Sequence, residues 1–241
     1  ILSIAGLDPS GGAGLLIDLA TFKAYGLREL GVTSALTAQN PRRVHSVHPV
    51  KASFIKKQVE TLLDEFKIDA LKIGMLATAE NARVVGRIIK THNIKNVVLD
   101  PVLASTSGFA LMEKNGLKEI KKLLKFVTVV TPNISEAEAL TGRKISGISE
   151  MEDAAENIFK IGGCKVIITG GHLRGAPTDV FFDGKKTACF HGKRINAKRH
   201  NLHGTGCILS SAIAAGLAKK RNIIKTIEEA KRYLGVVIRS R

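Results

Sequence analysis

The chain has 241 residues, with 37 Lys+Arg against 21 Asp+Glu for a formal charge of +16, 44% hydrophobic residues, 5% aromatic residues and no Trp. At roughly 150 residues per domain the length allows one large core or two modest ones, and this apolar content beside ordinary Gly and Pro excludes a disordered or collagen-like chain. No apolar run reaches the ~20 residues that cross a bilayer, and Cys164, Cys189 and Cys207, widely spaced and without Cys-x-x-Cys, fit neither a disulfide framework nor a zinc site.

The opening Ile1-Leu2-Ser3-Ile4-Ala5 is short and apolar, with no basic leader or small-residue cleavage site, so no signal peptide is read and a reducing cytoplasm is expected. Further on, short β-branched runs alternate with longer amphipathic stretches. Strands are expected over Ile1 to Ala5, Gly31 to Thr37, Ala70 to Ile73, Val97 to Leu99, Val127 to Val130 and Val166 to Thr169. Helices are expected over Ala13 to Tyr25, Ala52 to Phe66, Ala79 to His92, Leu117 to Phe126 and Met151 to Ile161. Continuous apolar strands separated by helices imply a doubly wound, mostly parallel α/β sheet with helices on both faces. Asp183-Gly184 between Thr178 to Phe182 and Thr187 to His191 signals a hairpin, hence an antiparallel edge. Two helices, Thr205 to Lys219 and Ile224 to Ile238, finish the chain, and residues 1–241 are expected to form one domain.

The charge invites a nucleic-acid reading, because Lys and Arg neutralise phosphates. Its distribution argues otherwise. Basic residues spread over nearly every expected helix, and the denser groups Pro41-Arg42-Arg43 and Lys193-Arg194 with Lys198-Arg199-His200 fall in expected loops. With two Tyr and no Trp there is no stacking platform beside them. Solvated helix faces, with some attraction of an anionic substrate, account for the charge, and neither a nucleic-acid nor a membrane partner is expected.

In open parallel sheets ligands sit beyond the carboxyl ends of the strands. Those positions here are polar or glycine-rich: Asp8-Pro9-Ser10-Gly11-Gly12, Ala38-Gln39-Asn40, Gly74-Met75, Asp100-Pro101, Thr131-Pro132-Asn133 and Gly170-Gly171-His172. Gly12-Ala13-Gly14 begins a dinucleotide fingerprint, but Ile17 stands at the third glycine and Gln39 where a ribose-binding acid would be, which disfavours a nicotinamide enzyme. The same glycines suit either a tight turn or a loop whose backbone approaches a substrate. Gly204-Thr205-Gly206-Cys207 opens a small-residue helix whose first N–H groups and positive dipole end suit an anion. A helix N-terminus lowers a thiol's pKa from about 8.5, so Cys207 is expected to be partly thiolate, as a base or polar contact, with a small buried hydrophobe as the alternative. Asp100 and Asn133-x-x-Glu136 supply hard oxygens suited to Mg²⁺ beside a nucleotide triphosphate, and Glu136 equally suits an ordinary helix start.

Seven collinear segments make the set recognisable: Ala5-Gly6-Leu7-Asp8-Pro9-Ser10-Gly11-Gly12-Ala13-Gly14, Thr37-Ala38-Gln39-Asn40, Leu71-Lys72-Ile73-Gly74-Met75-Leu76, Leu99-Asp100-Pro101-Val102, Thr131-Pro132-Asn133-Ile134-Ser135-Glu136-Ala137, Gly170-Gly171-His172 and His203-Gly204-Thr205-Gly206-Cys207. Together they resemble the hydroxymethylpyrimidine/phosphomethylpyrimidine kinases of thiamine biosynthesis, in the ribokinase-like superfamily. The resemblance implies a kinase using ATP and Mg²⁺ to phosphorylate 4-amino-5-hydroxymethyl-2-methylpyrimidine and then its monophosphate, working as a homodimer. It implies Gln39 as the pyrimidine reader, one amide donor and one acceptor matching the aminopyrimidine edge, with Gly11 and Gly12 in the substrate loop and Met75 and Val102 as apolar walls. Asp100 and Glu136 would serve the metal, and Asp100, Asn133, Thr169, Gly171 and Thr205 the nucleotide and its phosphates. Gly204 and Gly206 would stabilise the transferring phosphoryl group, and Cys207 stands where sugar kinases of the superfamily carry an aspartate base.

Two departures stand out. Family members commonly have Lys where this chain has Thr169, so phosphate charge would need another cation, with Lys72 or the loop near Lys198 as candidates, and Leu202-His203 stands where Thr-His is common. A pyridoxal/pyridoxine kinase of the same superfamily and a pyrimidine-binding protein with weakened catalysis remain the alternatives.

Overall fold

The computed structural model describes residues 1–105, 107–171, 176–195 and 202–241. In chain order its elements are β1 (Leu2–Leu7), α1 (Gly14–Ala24), β2 (Leu30–Asn40), β3 (Arg43–Pro49), α2 (Ala52–Leu63), β4 (Leu71–Ile73), α3 (Ala79–Thr91), β5 (Val97–Leu99), α4 (Gly116–Leu123) with a 3-10 turn Leu124–Phe126, β6 (Val129–Val130), α5 (Ile134–Thr141), α6 (Ile148–Gly162), β7 (Lys165–Ile168), β8 (Thr178–Phe182), β9 (Thr187–His191), α7 (Thr205–Ala218) and α8 (Ile223–Ser240). The strands make one sheet in the order β3-β2-β1-β4-β5-β6-β7-β8-β9. From β2 to β7 every pairing is parallel, while β3, β8 and β9 pair antiparallel at the two edges.

Strand side chains alternate between two apolar layers, as period-2 pleating requires. Leu2, Ile4, Leu71, Ile73, Val97 and Leu99 pack with residues of α2 to α6, including Ile55, Val85, Ile120, Leu140 and Ile158. Ile1, Ala70, Val98, Val129 and Ile167 pack on the other side with Phe22 of α1, Leu209 and Ile213 of α7, and Ile227 of α8. Since β1 lies between β2 and β4, the winding reverses there, and the connections after β1 and β4 diverge to open a crevice at the carboxyl ends of the strands.

The doubly wound sheet and the Asp183-Gly184 hairpin agree with the expectation, the hairpin strands residue for residue. Asp183 Oδ1 accepts from Lys185 N and Lys186 N at 2.8 Å each, which is why Asp leads this turn. Elsewhere the expectation needs correction. The expected loop at Arg43 opens β3, whose Arg43-Val44-His45-Ser46-Val47-His48-Pro49 is mostly exposed and so lacks the apolar run that marks a buried strand. Asn133 to Glu136 is an actual helix start, and α5 follows it. The expected Leu117 to Phe126 helix closes at Leu123 and tightens into the 3-10 turn.

Several basic side chains lie on exposed helix faces or loops, among them Lys56 at 58% and Lys160 at 70% exposure, each paired four residues away with Glu60 and Glu156. The Lys198-Arg199-His200 group and His172 lie outside the described residues. Among the described residues no helix is long and apolar enough to cross a membrane.

Candidate active site

Asp8 closes β1 and is 2% exposed. Its Oδ1 accepts from the Ser10 backbone N at 2.8 Å and the Ser10 hydroxyl at 2.7 Å, and its Oδ2 accepts from Ala13 N at 3.0 Å, which fixes the glycine loop ahead of α1. His203 Nε2 lies 2.9 Å from the same Oδ2. Burial opposes ionisation of Asp8, but His203, Ser10 and the nearby Gln39 amide outweigh it and hold the carboxyl below the usual range. The Gln39 amide thus stands beside an anion, with a carbonyl and N–H groups that can present an acceptor–donor edge. Neither Asp8 nor His203 received a role from the sequence; a lone acid at the end of the first strand, before Ser-Gly-Gly, was the available signal.

Gln39 pairs in register with Val44, where the β2-β3 ladder shifts. Val44, Met75, Ala35, Ala77 and Leu111 form a small apolar cluster apart from the two core layers, with Val47 and Val102 packed on it. The expected walls Met75 and Val102 therefore meet, beside the strand pair that carries Gln39. Gly11, at φ +72, leads into Gly12, whose Cα faces the His203 ring so closely that a Cβ there would lie 2.7 Å from it.

Across the crevice, Asp100 ends β5 and Glu136 stands in the first turn of α5, both 6% exposed. Asn133 Oδ1 accepts from Glu136 N at 3.0 Å while Glu136 Oε2 accepts from Asn133 N at 2.9 Å, a reciprocal capping box. The bland reading of this motif is thus correct, and it leaves the polar reading intact. Burial, reinforced by Asp100, pushes the Glu136 carboxyl up to about 8. Burial likewise raises Asp100, against the opposing effect of Lys72. Two neighbouring carboxyl groups that resist ionisation are what a divalent cation would satisfy. Asp100 and Glu136 are hard oxygen donors, a set that fits Mg²⁺ completing its shell with waters and phosphates. Thr169 bridges to Asn133 at the edge of this row, and Gly171 lies exposed two residues beyond it.

The fourth wall is the start of α7. Gly204 has φ +76 and sits against the glycine loop held by Asp8, where a Cβ would come 2.0 Å from Gly12 O. Thr205 Oγ1 donates to Leu202 O at 3.0 Å, and Gly206 is exposed with open space where a side chain would stand. The N–H groups of this first turn have no intrahelical acceptor, and the dipole adds positive potential there. Ser210 Oγ lies 3.2 Å from Asp100 Oδ2 and 3.1 Å from Cys207 O, so the helix start and the carboxylate row are joined.

Two expectations are overturned here. Cys207 is not partly thiolate: burial first, and then the Asp100 and Asp18 carboxylates, push the thiol up to about 12, and neither Lys72 nor the Gly14 N–H restores it. Lys72 cannot reach a phosphate, because it is fully buried and donates to Asp18 Oδ1 at 2.9 Å and Oδ2 at 2.7 Å. Lys198, the other candidate cation, lies outside the described residues.

A crevice with a fixed amide on one side and an anion-ready helix start on the other suits transfer of a phosphoryl group to a small polar ring compound. The phosphomethylpyrimidine kinase model matches residues 8–241. This chain belongs to that family. The hydroxymethylpyrimidine/phosphomethylpyrimidine kinase of Aquifex aeolicus is 39% identical over 241 residues, covering 99% of this chain and 94% of the relative. The phosphomethylpyrimidine kinase structure from Clostridium difficile superposes with a TM-score of 0.86 at 35% identity, covering 98% of each chain. The ADP complex of Bacillus subtilis pyridoxal kinase gives 0.86 at 33% identity, covering 96% of this chain and 88% of that one. As a family member the chain is a phosphotransferase with the ribokinase-like fold. For a family cysteine that stays a thiol, a positioning contact is the expected contribution. Cys207→Ala is expected to lower kcat about tenfold while leaving the KM for ATP within twofold; a variant with wild-type kcat in a coupled ADP assay would refute any role in transfer.

Proposed function

We propose that the chain transfers the γ-phosphoryl group of ATP to the hydroxymethyl group of 4-amino-5-hydroxymethyl-2-methylpyrimidine and then to the resulting monophosphate, in thiamine biosynthesis. The observation that carries the substrate choice is the Gln39 amide near Asp8, on the strand pair beside the Met75 and Val102 wall. An amide there offers an acceptor to the exocyclic amine and a donor to the neighbouring ring nitrogen of an aminopyrimidine. A pyridoxal ring has no amine at that edge.

Phosphoryl transfer asks the protein for positioning and charge stabilisation more than for covalent chemistry. The Asp8-bound loop and Gln39 would orient the ring so that its hydroxymethyl oxygen faces the start of α7. The N–H groups from Gly204 to Cys207 would hold the oxygens of the transferring group. Asp100, Glu136 and Asn133 would hold Mg²⁺ directly or through water, with Thr169, Gly171 and Thr205 around the nucleotide phosphates. When bound, Mg²⁺ supplies charge neutralisation to the triphosphate. Because the Cys207 thiol and the buried carboxyls resist ionisation in the free protein, alcohol activation by alignment is the better account than a standing base. The reading includes one domain, a cytoplasmic setting and a homodimer.

The deciding experiment is ADP release over a substrate panel with Mg²⁺ present. Efficient turnover of hydroxymethylpyrimidine, with pyridoxal poor, is expected; the reverse order would replace the pyrimidine reading by the pyridoxal one.

A further inference from the structure

The proposed mechanism leaves unused a charged pair that is completely enclosed. Lys72 and Asp18 are each 0% exposed. Lys72 stands in Leu71-Lys72-Ile73, a strand otherwise fully apolar, on the side that faces α1 and α7. Both oxygens of Asp18 accept from its ammonium, and each also takes a hydroxyl: Ser3 Oγ donates to Oδ2 at 2.7 Å and Ser211 Oγ donates to Oδ1 at 2.7 Å. One cluster thereby ties β1, α1, β4 and α7 together.

Its direction matters as much as its closure. The Lys72 stem runs along the sheet toward the carboxyl end of β4, and its Nζ occupies the space over Gly74, where a Cβ would lie 2.9 Å away. The ammonium end of the pair therefore lies at the carboxyl end of β4, where the crevice opens. Neighbouring residues of α7 divide the work: Ser210 bonds Asp100 and Ser211 bonds Asp18.

We propose that Lys72 and Asp18 are positioning residues for phosphoryl transfer: Ser211 anchors α7 to them so that the Gly204-to-Cys207 turn is held in place, and the enclosed ammonium biases that turn and Asp100 toward the negative charge of the transferring group. This rests on the kinase reading above. A buried pair replaceable by apolar groups without loss of fold is a known outcome, so enclosure alone does not explain it; the ammonium over Gly74 and the Ser211 anchor on α7 do.

The test is the paired variant Asp18→Asn/Lys72→Met, which leaves no lone buried charge, checked for fold by circular dichroism and assayed for ADP release with hydroxymethylpyrimidine. The expected result is a kcat lowered about tenfold, less than the ~10²–10³ lost with a direct oxyanion donor, with KM for both substrates within about twofold. Gly74→Ala is the second variant: it keeps both charges but its methyl displaces the ammonium, and the same split is expected. A folded variant with wild-type kcat, or one in which kcat and KM deteriorate together, overturns the proposal. If wild-type protein turns over no hydroxymethyl substrate at all, the kinase reading falls and this proposal with it, whereas an active wild type with indifferent variants removes only the proposal.

Discussion

Gly204→Ala is expected to lower kcat by about 10²–10³ while the protein stays folded, the loss associated with an oxyanion donor moved out of line. Two effects act at one position. The residue sits at φ +76, where an L side chain costs roughly 1–2 kcal/mol, and the new Cβ would come 2.0 Å from Gly12 O. Backbone cannot swing aside as a flexible side chain would, so either the glycine loop or the first turn of α7 must move. In the proposed mechanism both meet the transferring group. Initial rates by coupled ADP release, with far-ultraviolet circular dichroism as the control for fold, read the effect. A folded Gly204→Ala with near wild-type kcat would show that this turn does not cradle the phosphoryl group.

Glu136→Gln separates two roles that alanine would confound. Removing the side chain costs the capping box as well as the charge, and a lost cap is worth about 1 kcal/mol. Gln preserves the cap, since its carbonyl oxygen still accepts from Asn133 N as Glu136 Oε2 does now at 2.9 Å. It also relieves the folded protein of a buried carboxyl that resists ionisation. Thermal stability should therefore be unchanged or slightly higher. If Glu136 helps hold Mg²⁺ at the triphosphate, kcat should still fall about 10²-fold, in keeping with the several kcal/mol that a metal contributes to charge stabilisation. Calorimetry and kinetics on the same preparation distinguish the outcomes: an unchanged melting temperature with an unchanged rate would make Glu136 a helix cap and nothing more.

Much of the architecture was legible because the apolar strands and their intervening helices each carry a single unambiguous period. Val97 to Leu99 and the Thr178–Phe182 and Thr187–His191 hairpin have buried or turn-forming residues that admit no second reading. β3 was missed for the opposite reason: its Arg, two His and Pro are what an exposed edge strand tolerates, and they look like loop. The site residues were legible as strand-end motifs, yet their electrical state was not. A helix N-terminus argues for a thiolate at Cys207, and only the tertiary packing that half-buries it near Asp100 and Asp18 reverses the sign. Lys72 likewise reads as a free cation in sequence; its partner Asp18, 54 residues earlier, is known only once the chain has folded. Asp8 and His203 escaped notice because a hub is defined by who converges on it, and Gln39, Ser10 and His203 come from three separate segments.

The Asp8–His203 contact joins positions 195 apart in sequence. The glycine loop and Gln39 are therefore separated from the helix start that completes the crevice by most of the strands, and the entropic toll of so long a closure rises only with the logarithm of loop length. Small-molecule ligands of the crevice select the finished protein and add their binding free energy to the global transition, so that occupancy by substrate doubles as a report that the end of β1 and the start of α7 have met.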